Sequence, residues 1–286
     1  MKRIDNVYAQ ICSLENLQLA DSIARRGKTK RGDIVAFDEN RNENLLAIQR
    51  ALINKTFRTS AYKTFNVFEP KRRKVYWLPY ADQIVHHSVM TVIGPMFDAM
   101  FTRDTYSCIK GRGIHGASYA LRDALKHVRD SRYCLKLDIK QFYPSVDHDT
   151  LKMLLRRKIK DADLLELLDE IIDSADGLPI GNYLSIYFGN FYLAYFDHWI
   201  KENLAINHYF RYTDDLVILA GNKPYLHEQL THIRTYLQDK LKLTVKGNYQ
   251  VFEVAERGID FVGYRHYHTH VLLRKSIKKS FNPHFS

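Results

Sequence analysis

The sequence predicts an α+β domain in which a small antiparallel sheet is backed by helices. Three observations carry that prediction. Residues 133–139 alternate strictly, with Tyr133, Leu135, Leu137 and Ile139 on one face and Cys134, Lys136 and Asp138 on the other, the pattern of a half-buried strand ending in a carboxylate. Two β-rich runs, 208–212 and 216–220, flank Thr213-Asp-Asp215 in the outline of a hairpin with two carboxylates at its tip. Helical patterns over 148–174, 183–202 and 225–241 separate and follow these strands.

From the N-terminus, residues 15–56 read as helical, with Leu45, Leu46, Ile48, Leu52 and Ile53 near helical spacing and a basic loop at 25–31. Between Tyr62 and Tyr80, short aromatic and β-branched runs surround Lys71-Arg-Arg-Lys74, which suggests two strands joined by a basic turn. A helical pattern resumes over 82–100. Gly177-Leu-Pro-Ile-Gly181 is a turn that leads into an aromatic-rich helix. Two short strands and a basic tail follow the 225–241 helix. The organisation expected is a helical extension over 1–58, a main domain over 59–275 and a basic tail over 276–286.

Composition narrows the function classes. With 45% apolar and 26% charged residues, the chain has neither a disordered composition nor a membrane span. Asp5, Glu15 and Asp21 interrupt the N-terminus, which argues against a signal peptide and for a cytoplasmic protein with no membrane partner. Forty-three Lys and Arg against thirty-two Asp and Glu give a net charge of +11, favouring a polyanionic partner. Cys12, Cys108 and Cys134 are odd in number and widely spaced, so they read as buried thiols. Histidines, including His86 and His87, show no metal spacing and read as helix-face or surface residues, while Trp77 and Trp199 read as core.

Asp138, Asp214 and Asp215 are the candidate chemistry. If the strands that carry them are adjacent, three carboxylates meet, and clustered carboxylates either take up protons or bind hard cations such as magnesium. Two such ions, roughly 4 Å apart, can activate an attacking hydroxyl and stabilise a leaving group. An Asp-Asp pair is also ordinary turn chemistry, and spacing alone favours that reading.

The flanking residues change the balance. Arg211-Tyr-Thr-Asp-Asp-Leu-Val-Ile218 resembles the Tyr-x-Asp-Asp signature of reverse transcriptases. Leu137-Asp-Ile-Lys-Gln-Phe-Tyr-Pro-Ser-Val-Asp-His148 resembles the family's first catalytic-aspartate motif, and Gly177-Leu-Pro-Ile-Gly-Asn-Tyr-Leu-Ser185 its template and nucleotide loop. Gly258-Ile-Asp-Phe-Val-Gly-Tyr264 resembles the hairpin that grips the primer. The resemblance runs in the family's order over about residues 60–275 and implies a right-hand polymerase fold with fingers and palm over 59–275, the thumb largely missing and only its start, or a basic tail, over 276–286.

Carried onto this sequence, the resemblance implies that Asp138, Asp214 and Asp215 are catalytic and hold two Mg2+ ions, with Mn2+ a possible substitute and the carbonyl of Ile139 assisting. It places Tyr143 at the steric gate against a ribonucleotide 2′-OH. Lys71 and Arg73 would hold the incoming triphosphate beside Ile180 and Gly181. Phe261, Val262, Gly263 and Tyr264 would form the primer grip. Outside that context Phe142 and Tyr143 read as core aromatics, and Lys71 and Arg73 as a solvated loop.

Most of the family carries Gln where this chain has Ile180. That aliphatic residue, followed by Gly-x-x-x-Ser185, resembles the enzymes of diversity-generating retroelements, which copy a template RNA with errors at adenines. Ser185 is followed by Ile186 where the family has Gln. The implied partners are template RNA, a DNA primer, deoxynucleoside triphosphates and a small basic accessory protein. Alternatives are another bacterial reverse transcriptase, of retron, group II intron or phage-defence type, and a catalytically silent RNA-binding scaffold.

Overall fold

A computed structural model describes residues 3–68 and 72–281; Lys71 lies outside the described residues. The chain opens with helices α1 (Tyr8–Cys12), α2 (Leu14–Ala24), α3 (Gly32–Asp38) and α4 (Arg41–Ile53), then strands β1 (Lys63–Val67) and β2 (Arg73–Trp77). Next come α5 (Tyr80–Met100), α6 (Gly113–Ala124), β3 (Tyr133–Asp138), α7 (His148–Arg156), α8 (Ala162–Asp173) and α9 (Tyr183–Glu202). The hairpin β4 (His208–Tyr212) and β5 (Asp215–Ala220) precedes α10 (Lys223–Leu241), β6 (Gln250–Glu253) and α11 (Val254–Arg257). Strands β7 (Ile259–Phe261), β8 (Tyr264–His266) and β9 (Val271–Leu273), then α12 (Lys275–Phe281), follow. Where the sequence pattern suggests two strands and a tail after α10, the described residues form four strands and two short helices. No helix among the described residues is long and apolar enough to cross a membrane.

The chain divides into two compact units, Met1–Ala99 with Val146–Gly189 and Met100–Ser145 with Asn190–Ser286. In the first, α1, α2 and α4 pack together over Leu17, Leu45 and Leu52. The segment 148–174 is two helices rather than one, because Asp161 caps α8. One of its carboxylate oxygens accepts the Leu164 N–H at 3.0 Å and the other the amides of Val7 (2.7 Å) and Tyr8 (3.0 Å). Ile4 then bridges Ile159 in parallel. His86 is buried rather than on a surface, and burial pulls its imidazole down to about 3, so it is neutral. His87 stacks on Tyr183 with ring centroids 4.0 Å apart. Trp77 is partly exposed, with Arg31 and Lys63 over its ring, so it is not the core residue expected.

Asp21 organises the N-terminal helices. Its fully buried carboxylate accepts from Arg25 at 2.7 Å, Arg41 at 2.6 Å and Tyr80 at 2.5 Å. Burial pushes this carboxyl up, but Arg25, Tyr80 and Arg41 outweigh it and hold it below its ordinary value. A folded value below the unfolded one means the stabilisation is present above about pH 4 and is lost as pH falls through the depressed value. Asp21→Asn is therefore expected to lower the melting temperature at pH 7 by several degrees and to remove part of the acid-unfolding slope below about pH 4.

In the second unit a four-stranded antiparallel sheet has the order β4-β5-β3-β6. One face carries Cys134, Phe210, Val217 and Leu219 against Ala117 and Leu121 of α6. Leu135, Leu137, Leu216 and Ile218 alternate to the other face and are buried too, while α10 packs on β3, β5 and β6. Strand β3 is thus apolar on both faces near its start, not half-buried as its alternation suggests. Cys12 and Cys134 are buried as expected; Cys108 is exposed, on left-handed backbone at φ 55°. Trp199 is partly exposed and stacks on Phe196.

Candidate active site

The register of two strands builds the site. Strands β3 and β5 run antiparallel from Tyr133 opposite Ala220 to Asp138 opposite Asp215, so their ends bring two carboxylates side by side. Asp215 also pairs with Tyr212 and is the first residue of β5, not part of the hairpin tip. The turn is Thr213-Asp214 alone. A two-residue hairpin turn favours positive φ, and Thr213 supplies it at 57°. The Asp214 carbonyl accepts the Ile139 N–H at 3.2 Å, which ties the turn to the end of β3.

The electrostatics are those of crowded carboxylates. Asp214 is pushed up to about 6, first by burial and then by the charge of Asp138. Burial also pushes Asp215 up, against the pull of Lys136. Lys136 donates to Asp215, and Lys246 donates to Asp138. With two carboxylates turned onto lysines, no three His, Cys, Asp or Glu side chains among the described residues converge as a metal-holding group. The donor chemistry nonetheless fits a hard divalent cation: oxygen ligands only, and a carboxyl destabilised as an anion by burial and then by its neighbour's charge. Lys136 and Lys246 would have to release for the set to close. A cation held there would compete with the proton for Asp214, so Mn2+ affinity is expected to strengthen as pH rises from 5 to 7 and to level off above; titrations at fixed ionic strength measure this.

Beyond Asp138, the chain bridges Val245 at Ile139 and reverses at Gln141, whose φ is 46°. The reversal buries Phe142 and leaves Tyr143 partly exposed in a short 3-10 turn, their rings 5.3 Å apart. Burial pushes the Tyr143 hydroxyl well up, with Cys108 and Asp214 adding to the shift, so it stays neutral.

Beneath the hairpin lies a network that sequence reading missed. Arg211 and Asp197 are both fully buried and joined by two hydrogen bonds, at 2.8 and 2.5 Å. Arg211 also donates to the Thr213 carbonyl at 3.0 Å and the Asn190 side-chain oxygen at 3.3 Å. A signal was available: Asp197 is an acid within the aromatic stretch 191–199 of α9, and a buried acid needs a partner.

The segment 261–264 is a hairpin. Phe261 pairs with Tyr264 around a Val262-Gly263 turn with φ of 46° and 89°. A β-branched residue in that region is strained. Phe261 is buried, with the Lys136 ammonium 5.3 Å from its ring centroid. In the first unit Arg73 opens β2, exposed, with Val67 opposite. The Ile180 carbonyl accepts the Tyr76 N–H at 2.7 Å. Gly181 has φ 111°, and a Cβ there would lie 2.4 Å from the Tyr76 carbonyl oxygen. Only glycine lets the loop approach β2 so closely.

The family model described as reverse transcriptase (RNA-dependent DNA polymerase) matches residues 70–266, which span β2, the carboxylates, the loop and the hairpin. The chain belongs to the reverse transcriptase family. The chain is 22% identical over 229 residues to Protein YkfC of Escherichia coli K12, covering 64% of this chain and 60% of that protein. It is 26% identical over 199 residues to the retron Ec73 reverse transcriptase of Escherichia coli, covering 60% and 63%. The chain thus spans under two thirds of the length of these relatives. Apo telomerase from Candida tropicalis has a similar fold, with a TM-score of 0.59 at 14% identity over 77% of this chain and 49% of that one. The right-hand polymerase arrangement of fingers and palm is the fold that these likenesses support.

Proposed function

We propose that the chain is an RNA-directed DNA polymerase that adds deoxynucleotides to a primer 3′ end with two divalent cations. The observation that carries the reading is Asp138 in register with Asp215, with Asp214 in the adjoining turn and destabilised as an anion. The cations, held by these three carboxylates and the Ile139 carbonyl, would activate the primer hydroxyl and offset charge on the leaving pyrophosphate. Tyr143 sits where its ring excludes a 2′-OH; Arg73, Ile180 and Gly181 contact the incoming nucleotide; Phe261–Tyr264 contacts the primer. Residues 1–58 act as a helical extension and 59–275 as fingers and palm. The basic charge suits template RNA and the DNA primer.

Within the family we assign the chain to the diversity-generating retroelement enzymes, working with a small basic accessory protein. Ile180 supports this, because an aliphatic side chain in place of an amide removes a polar constraint beside the nascent base pair. The likeness to the retron Ec73 enzyme favours a retron-type reading instead. Primer extension on an RNA template with Mg2+ and four deoxynucleotides, followed by product sequencing, tests both readings. Errors concentrated opposite template adenines, and fewer of them in Ile180→Gln, are expected. Faithful extension, unchanged in Ile180→Gln, would move the chain to the retron-type reading, and no extension with the accessory protein present would favour an RNA-binding scaffold.

A further inference from the structure

The geometry points to Arg211 and Asp197 as a positioning pair that sets metal affinity at the carboxylates, by holding the Thr213 carbonyl and so the turn that carries Asp214. The inference rests on the metal reading proposed above.

A fully buried ion pair is an expensive way to fill a core, since apolar residues of similar volume are often neutral or stabilising in its place. Its use here is geometric. The Asp197 carboxylate is saturated: it accepts from Arg211 twice, from the Tyr209 hydroxyl at 2.6 Å and from the Thr105 hydroxyl at 2.9 Å. Held on that fork, the planar guanidinium turns its remaining nitrogen to the Thr213 carbonyl at 3.0 Å and the Asn190 side-chain oxygen at 3.3 Å.

Thr213 is where restraint matters. It is a β-branched residue at φ 57°, a conformation that costs about 1–2 kcal/mol and persists only when its surroundings impose it. The turn is fixed at three points: the Thr213 carbonyl by Arg211, the Thr213 hydroxyl by donation to Ser107 at 2.8 Å, and the Asp214 carbonyl by the Ile139 N–H. Arg211 itself is locked into the unit through its backbone, whose N–H donates to the Asp104 carbonyl at 2.9 Å and whose carbonyl accepts from Tyr106 at 3.0 Å. Releasing the first point lets Thr213 relax toward negative φ, which swings the Asp214 carboxylate away from Asp138 and Asp215. Groups that orient a metal ligand from behind contribute about 10–100-fold in affinity.

The test is Mn2+ binding to the full chain, followed by electron paramagnetic resonance without nucleic acid or nucleotide, beside thermal melts. Arg211→Lys keeps the charge but lacks the fork, and is expected to weaken Mn2+ binding by about 10–100-fold. The double variant Arg211→Met with Asp197→Leu removes the pair without leaving a lone buried charge, and the same loss is expected in a folded protein. Tyr209→Phe removes a hydrogen bond to Asp197 but leaves the Thr213 contact, so its melting temperature should fall with Mn2+ affinity unchanged. Wild-type affinity in either folded Arg211 variant overturns the inference. An equal Mn2+ loss in Tyr209→Phe also overturns it, by reducing the effect to general packing. A wild-type chain that binds no Mn2+ overturns the metal reading itself, and the inference with it.

Discussion

Asp214→Asn is expected to lose primer extension by about 10³-fold or more while gaining thermal stability in the absence of metal. Under the proposed two-metal reading, the loss follows from removing a charged ligand that would be worth several kcal/mol, at 1.36 kcal/mol per tenfold in rate. The gain follows from the strain on the native carboxylate. Its folded value of about 6 lies above the model-peptide value, so ionising Asp214 opposes folding. Stability therefore falls as pH rises from about 4 to 6, and the amide, which cannot ionise, escapes that loss. In EDTA at pH 7.5 the variant should be more stable by about 1–3 kcal/mol, and the gain should vanish below about pH 4. Primer extension and melts across pH measure the two halves separately. Unchanged stability would locate the carboxylate in water, and unchanged extension would remove Asp214 from the chemistry.

That combination explains which parts of the site were legible in the sequence. Strict alternation over 133–139 fixes which side chains share a face, and a hairpin of β-rich runs around Asp214 places the carboxylates near a strand end. Neither feature specifies register. Whether one or two aspartates form the turn depends on Thr213 taking positive φ, which its identity disfavours. The support that makes this conformation tolerable comes from residues far apart in sequence: Arg211, Asp197, Asn190 and Ser107. Helix boundaries failed for a related reason. Asp161 and the chain near Ile4 divide 148–174, and the N-terminal segment that bridges Ile159 lies some 150 residues away, beyond the reach of any periodicity argument. Likewise the lysine that bonds Asp215 comes from the neighbouring strand β3, and the one that bonds Asp138 from the segment after α10.

The second large effect concerns sugar selection. Tyr143 is held through its backbone: Gln141 at φ 46° reverses the chain, and buried Phe142 anchors the turn from inside. The Ser145 N–H donates back to the carbonyls of Gln141 and Phe142, both at 3.0 Å, which closes the turn around Tyr143. A ring on so constrained a backbone has little freedom to yield, so a 2′-OH pressed against it meets a conflict of about 1–3 kcal/mol. Tyr143→Ala is expected to raise kcat/KM for ribonucleoside triphosphates, relative to deoxynucleotides, by about 10–100-fold. Tyr143→Phe should keep the discrimination. The hydroxyl is neutral, its proton held tightly by burial, so under the proposed role the aromatic edge and not a charge would do the excluding. Single-nucleotide incorporation with each sugar, measured on the same primer and template, separates the possibilities. If the alanine variant stays selective, discrimination lies elsewhere and Tyr143 is a core aromatic; if the phenylalanine variant loses selectivity, the hydroxyl makes a polar contact that the steric account omits.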